Sequence, residues 1–400
     1  MTAPTPLPSA RRAPYDAVVV GARVAGAATA LLLARRGLSV LLVDRAAAPG
    51  SDTLSTHALM RAGVLQLRRW GLLDRLVATG APPVRRTVVH YGDEIEVVDV
   101  REKAGVGALY APRRTVLDPL LVAAAAEAGV EVRYGVAVDR LLWRGGRVAG
   151  VAGTTRDGAP FAARARLVIG ADGHRSLVAR EVAAPLTWRG TAAGAFVYGY
   201  WPAAGADGYE WFYRPGVSAG IMPTNGGEVC FWVGTSRQRF LGELGGDPRR
   251  AFARLLAAAA PEVAGRYAPE RRRGRLHGWA GVAGWQRRPW GPGWALVGDA
   301  GAFRDPLSAH GMTDALRDAE LLADAAAAAL GGADEARALA GYERTRDEIS
   351  LPLAEITDVA AAYRWTLPEL RALLIGLSRA MGREVDLLVG RDEAAARAVA

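Results

Sequence analysis

The run Asp16-Ala17-Val18-Val19-Val20 leads directly into Gly21-Ala22-Arg23-Val24-Ala25-Gly26, and an Ala- and Leu-rich stretch to Arg36 separates this turn from a second apolar run, Leu38 to Val43. An apolar strand, a glycine turn, a helix-length segment and another apolar strand read as a strand–helix–strand unit with parallel strands. Glycine at the first position permits the tight turn, and glycine at the last lets the helix approach the strand. The free N–H groups at the helix start favour a pyrophosphate. Asp44 closes the second strand, where an acid can hold a ribose hydroxyl. Arg23 stands where the middle glycine of such turns brings the backbone closest to the pyrophosphate. Either the backbone still permits that approach, with Arg23 turned outward or onto a phosphate, or the site binds weakly.

Two later motifs also follow apolar strands. Gly170-Ala171-Asp172-Gly173-His174-Arg175-Ser176 comes after Leu167-Val168-Ile169, and Gly298-Asp299-Ala300-Gly301 comes after Trp294-Ala295-Leu296-Val297. The second motif continues through Pro306 to Gly311-Met312, at the mouth of a helix carrying Asp314 and Asp318. An acid at a strand end can accept from polyol hydroxyls, and free amides at a helix start stabilise negative charge. Each motif alone is compatible with a plain strand-to-helix turn; that reading fits three in this order poorly.

Between the motifs the pattern predicts a helix over Thr56 to Leu76, strands around the turn Gly92-Asp93, a helix over Val116 to Ala128, and hairpin strands flanking Gly145-Gly146. From Trp188 to Trp285 the chain is rich in aromatics and glycine, with Phe196, Tyr198 and Tyr200 alternating on one strand. The reading is α/β (α+β, two-domain), with a nucleotide-binding domain over 15–83, 111–183 and 286–332. It is interleaved with a β-sheet domain over 84–110 and 184–285. A tail over 1–14 is expected to be disordered, and 333–400 to form C-terminal helices.

Composition narrows the classes further. The formal charge is +9, but Lys103 is the only lysine and the arginines are scattered, so no basic stripe points to nucleic acid. The single cysteine, Cys230, excludes an internal disulfide framework and any multi-cysteine metal site; no metal is expected. With neither a signal-like apolar core nor a membrane-length apolar run, a cytoplasmic protein without a transmembrane segment is expected.

The Gly-rich turn with Asp44-Arg45, the segment Arg114-Thr115-Val116-Leu117-Asp118, and the Asp172-Gly173 and Gly298-Asp299 motifs together resemble the FAD-dependent monooxygenase superfamily with the p-hydroxybenzoate hydroxylase-like fold. The resemblance covers roughly residues 15 to 335 and includes the branch close to geranylgeranyl reductases. It implies a Rossmann-like FAD-binding domain in which Gly21, Gly26 and Asp44 hold the ADP half, with Arg23 a cofactor-binding candidate at the same turn. Arg45 and Arg114 would lie along the FAD, and Asp299 at its ribityl-phosphate region. Gly298 and Pro306 would shape the loop that leaves Gly311 and Met312 at the flavin ring. Asp172, with Arg175, is either linked to NAD(P)H or purely structural. Flavin-dependent halogenases share the scaffold, but their catalytic lysine and Trp-x-Trp-x-Ile-Pro motif are not found here.

Two histidines are candidates for chemistry. His310 precedes Gly311, beside the expected ring edge. His57 lies in the segment Ser51 to His57, expected to pass close to the flavin. Capping of a helix from Ala58 by Ser55 or Thr56, with His57 positioning, is favoured there over acid–base work. Tyr198, Tyr200, Trp211, Tyr213 and Trp232 are candidate substrate-lining residues. The leading function is an NAD(P)H-dependent monooxygenase of an aromatic or polyunsaturated small molecule, in secondary metabolism. One alternative is a flavin-dependent reductase or dehydrogenase of an isoprenoid or other apolar chain; another is a flavin-binding protein without turnover. The chain is expected to be a monomer or homodimer, with the packing of the C-terminal helices undecided.

Overall fold

The computed structural model describes residues 13–399 except Asp52, Ala204, Asp207 and Ala268, with side chains described to Arg391 apart from Pro269. The expected disordered tail, up to residue 12, and Asp52 of the Ser51–His57 segment lie outside the described residues.

The first sheet carries parallel strands in the order Trp294–Leu296, Pro160–Gly170, Tyr15–Val20, Val40–Asp44 and Glu131–Tyr134. Period-two alternation divides its side chains between two cores. Ala17, Val19 and Leu42 join the helices Val24–Ala34, Arg114–Glu127 and Gly311–Leu330. Val18, Val20, Leu41 and Val43 face a layer built by the hairpin Val136–Arg144 and Arg147–Thr155. Strand Pro160–Gly170 belongs to both layers, pairing antiparallel with the hairpin at its start and parallel with Tyr15–Val20 at its end.

A second sheet has seven strands, in the order Arg273–Trp279, Gly194–Pro202, Glu228–Ser236, Val217–Thr224, Tyr209–Arg214, Arg86–Tyr91 and Glu94–Asp99. The hairpin around Gly92 joins it by parallel pairing with Tyr209–Arg214. On one face Ala195, Val197 and Phe231 pack with residues of helix Pro248–Ala259. On the other, Phe196, Tyr198, Tyr200, Cys230 and Trp232 pack with Ala58, Leu307 and Ala309. Cys230 is thus a buried core residue.

Local signals set the elements more closely than their ends. The helix expected over Thr56–Leu76 runs only from Arg61 to Arg69, followed by a short turn of helix at Leu73–Val77. Its N-cap is Met60, without a side-chain cap. The expected capping of a helix from Ala58 is therefore corrected: Ser55 Oγ accepts from the His57 N–H instead, at 3.1 Å. His57 has φ +67, which ends any continuous helix there.

Beyond helix Glu335–Ala361, helix Leu367–Val399 crosses both sheet regions. Arg371 reaches Glu94 and Glu96 at the hairpin edge, Lys103 pairs with Asp386, and Arg391 pairs with Asp324 of helix Gly311–Leu330. The C-terminal helices therefore pack along their own chain. No described helix is long and apolar enough to cross a membrane.

Candidate active site

The glycine turn is built by close packing. Gly21 has φ +106, and a Cβ there would fall 2.5 Å from the Ala171 carbonyl oxygen; one on Gly26 would fall 1.8 Å from the Gly21 carbonyl oxygen. Asp44 ties the turn to the second strand, accepting from the Ala22 N–H at 2.7 Å and from the Ala46 N–H at 2.8 Å. Each carboxylate oxygen keeps a second lone pair, so ribose hydroxyls can be accepted without opening the turn. Arg23 has φ −103, extended backbone open to any residue, so the missing glycine introduces no strain. Helix Val24–Ala34 begins without a side-chain cap or an acid in its first turn. Its leading amides suit an anion.

The later motif presents a second uncapped start. Helix Gly311–Leu330 has His310 at its N-cap position and no side-chain cap. Gly311 is exposed, and a Cβ there would meet nothing within 4 Å, whereas Met312 is buried. Asp305 shapes the preceding loop, accepting from the Gly194 N–H at 2.6 Å and the Leu307 N–H at 3.0 Å, the latter from the turn begun by Pro306. Burial pushes the Asp305 carboxyl up to about 7. Gly298 starts the turn that carries Asp299, whose carboxyl is pushed up to about 6 by burial, with Arg114 and Arg304 opposing that rise. Arg114 makes a two-pronged pair with Asp118, at 2.8 and 3.0 Å. Arg45 is exposed beside Asp44.

Two uncapped helix starts, a glycine cradle and two strand-end acids fit FAD. Its pyrophosphate would rest on the helix start after Gly21, its ribose hydroxyls on Asp44, its ribityl-phosphate region against Asp299, and its pyrimidine edge on the amides of Gly311 and Met312.

Asp172 is engaged by the helix that follows it. It accepts from Ser176 Oγ at 2.5 Å and from the Leu177 and Val178 N–H groups at 2.6 and 3.3 Å, while Ser176 caps helix Leu177–Glu181. Its carboxyl is raised by burial, and Arg175 next to it is exposed. The capping role is thus visible in the geometry.

The loop Thr53–His57 is fastened to the aromatic face. Tyr198 Oη accepts from the Ser55 N–H at 3.2 Å and donates to the Thr53 carbonyl at 3.4 Å. The His57 Nε2 and the Tyr200 hydroxyl share a hydrogen bond. The Arg113 guanidinium lies 3.6 Å from the centre of the Tyr200 ring and pairs with Glu228 at 2.8 Å. Burial first, then Arg113, Arg114 and His277, hold His57 well below the ordinary imidazole value, so it is neutral near pH 7. Its Nδ1 is buried without a partner, as are Trp232 Nε1 and His310 Nδ1.

Around this pair the five aromatic candidates form one patch. Tyr198 meets Tyr200 edge-on at 6.1 Å, Trp211 meets Trp232 at 6.0 Å, and Tyr213 meets Trp365 of the C-terminal region at 6.3 Å. An open cleft of about 1040 Å³ lies elsewhere, lined by Arg189, Arg237, Arg239, Arg287 and Arg364, with Glu243 its only acid. None of the five aromatics lines it; Tyr363 belongs both to its wall and to the aromatic cluster.

His310 sits in a charge network. Its Nε2 lies 2.7 Å from Glu384 Oε2, and the other Glu384 oxygen accepts from Arg317 at 2.9 Å. Arg317 also binds Asp314 at 2.6 Å, Asp318 at 2.7 Å and Ser350 at 2.9 Å. Arg304 pairs with Asp314. His310, Asp314 and Glu384 could in principle gather a metal ion, their ligand atoms lying within 4.8 Å of one another. Both acids are already held by guanidinium groups, which a cation would have to displace. Arg113, Arg304, Arg317 and Glu384 were not among the sequence-derived candidates. Arg113 had one signal, its place beside Arg114; Glu384 had none.

Residues 14–355 match the FAD binding domain family, and the chain belongs to it. Among curated relatives, a digeranylgeranylglycerophospholipid reductase of Methanocella arvoryzae is 26% identical over 82% of each chain. A probable electron transfer flavoprotein-quinone oxidoreductase of Escherichia coli, YgcN, is 36% identical over 42% of this chain. That match spans only 37% of the relative's length. Among solved structures, PqsL, a probable FAD-dependent monooxygenase from Pseudomonas aeruginosa, superposes with a TM-score of 0.77 at 23% identity, covering 90% of this chain and 99% of that one. The flavin-dependent brominase Bmp2 gives 0.76 at 19% identity, covering 95% and 99%. At these identities the structural neighbours establish the fold.

Proposed function

We propose that the protein is a monooxygenase that takes reducing equivalents from NAD(P)H and inserts one atom of O2 into an aromatic or polyunsaturated small molecule. The observation that carries this reading is the buried aromatic face, closed by the loop Thr53–His57 and the loop before Gly311, with a neutral histidine and unpartnered polar atoms inside. Bound FAD supplies the redox chemistry and the activation of oxygen.

The chain's own residues bind, orient and exclude water. Tyr198, Tyr200, Trp211, Tyr213 and Trp232 offer flat apolar walls to a conjugated substrate. His57, neutral, offers Nδ1 as a hydrogen-bond partner for a substrate hydroxyl. The amides at Gly311 and Met312, with the positive end of their helix, favour negative charge on the flavin's pyrimidine edge. The five arginines of the open cleft suit the phosphates of the nicotinamide co-substrate, and Arg175 is an exposed second candidate.

A reductase of an isoprenoid-like chain is the second reading, favoured by the Methanocella relative that spans most of this chain. Absorbance of the purified yellow protein is followed as NADPH is added without air and oxygen is then admitted, with product masses recorded. A product heavier by one oxygen atom, formed only in air, supports the monooxygenase. A product heavier by two hydrogens, formed without air, replaces it with the reductase.

A further inference from the structure

We propose that Glu384, on helix Leu367–Val399, is a positioning residue for His310: its carboxylate fixes the ring proton on Nε2 and leaves Nδ1 as the polar atom offered to the flavin site.

Both side chains are fully buried, and the 2.7 Å contact joins residues 74 positions apart. Glu384 lies beyond the 14–355 family match, so the partner comes from the chain's own C-terminal extension. Arg317 holds the second Glu384 oxygen at 2.9 Å and thereby sets the direction of the first. An ionised carboxylate only accepts hydrogen bonds, so Nε2 must carry the hydrogen. Arg317 and His310 pull the Glu384 carboxyl below the ordinary range, against the effect of burial. Nδ1 has no protein partner. With the hydrogen on Nε2, Nδ1 of the neutral ring is left as a lone pair, the arrangement that a carboxylate–histidine dyad sets.

A role limited to docking the helix explains less. Buried ion pairs are often matched or bettered by apolar packing of the same volume, so a helix that needed only an anchor could have used leucine. The other charged groups facing the histidine are Asp314, 3.8 Å from Nε2 on its own helix, Arg317 and Asp318 one turn further, and Arg304 from the preceding loop. From helix Glu335–Ala361 the neighbour is the uncharged Ser350, through Arg317. Among the charged groups of the described residues, Glu384 is the one hydrogen-bonded to the ring.

The clause about the flavin rests on the function proposed above; the contact with Glu384 does not. The test therefore reads the histidine itself. In full-length protein labelled with 15N-histidine, with and without FAD, the His310 resonances should report the Nε2–H form. Glu384→Gln should turn this into a mixture of tautomers. In the FAD-loaded enzyme, the flavin absorbance spectrum should shift with it. An Nδ1–H form in the unsubstituted protein overturns the proposal even if Glu384→Gln does not fold, and so does an unchanged tautomer in a folded variant. If the histidine responds and the flavin spectrum does not, the positioning stands and the placement of His310 at the flavin falls.

Discussion

The molecule buries two histidines in opposite electrical settings. His57 faces the guanidinium groups of Arg113 and Arg114, with His277 nearby, and its Nε2 bonds a phenol. His310 has two carboxylates within 4 Å, Glu384 and Asp314, backed by Arg317 and Arg304. Both are about 1% exposed, and both keep Nδ1 unpartnered. Burial alone therefore does not set a histidine's role. The charges that burial brings near it do, because in a low-dielectric interior a neighbouring charge outweighs the intrinsic preference of the ring. His57 is a neutral hydrogen-bonding group facing guanidinium groups, whereas His310 is held at Nε2 by a carboxylate.

The hardest test of this contrast is Arg317→Met. It strands Asp314, Asp318 and Glu384 around His310 while leaving the His57 side intact, and removing one partner of a buried network costs about 3–5 kcal/mol. Urea unfolding should show a loss of that size; a loss below about 1 kcal/mol would mean that the acids find other partners.

His57→Asn removes the imidazole while keeping a residue that tolerates positive φ. In the folded protein His57 resists protonation that the unfolded chain accepts, so the native state binds fewer protons below about pH 6.5. Stability must fall as pH drops through that region, by at most about 1.4 kcal/mol per pH unit. Melting curves of His57→Asn should flatten this acid limb, and an unchanged limb would show that His57 ionises normally.

Asp305, in the loop leading to His310, gives the opposite slope. Its carboxyl moves from 3.8 to about 7 in the fold, so across that window the native state holds a proton the unfolded chain has lost. Stability then falls as pH rises from about 4 to 7. Asp305→Asn should reduce that decline in the FAD-free protein, leaving the share of Asp299, whose carboxyl is raised to about 6, and a decline of unchanged size would reassign it to another group. The smallest effect is expected for Tyr200→Phe, which deletes the phenol bonded to His57 and should cost about 0.5–1.5 kcal/mol. A gain in stability would show that the short contact is unfavourable.

Much of the flavin side was legible because its signals are local. The turn at Gly21, Asp44 at the end of a strand, and the step from Val297 into Gly298-Asp299 are each written within a few residues. Strand alternation at Phe196, Tyr198 and Tyr200 correctly gave one shared face. The Thr56–Leu76 reading failed because apolar spacing cannot show that His57 takes a left-handed backbone or that Met60 is tied by its N–H to Thr313 Oγ1, at 3.1 Å. Asp172 showed the limit of a motif: the letters mark a turn, and only the coordinates reveal its oxygens committed to the helix that follows.

By itself the sequence determined the strand–helix–strand frame, the glycine cradle and the flavin class, since backbone conformation and side-chain periodicity are properties of neighbouring residues. The tertiary structure alone decided which charges meet. Tyr200 reaches His57 across 143 residues, and Glu384 reaches His310 across 74. In a helix rich in arginine and leucine, a glutamate bound for the core has the same letters around it as one bound for water. The choice is made by the field of distant groups, which exists only once the chain has closed on itself.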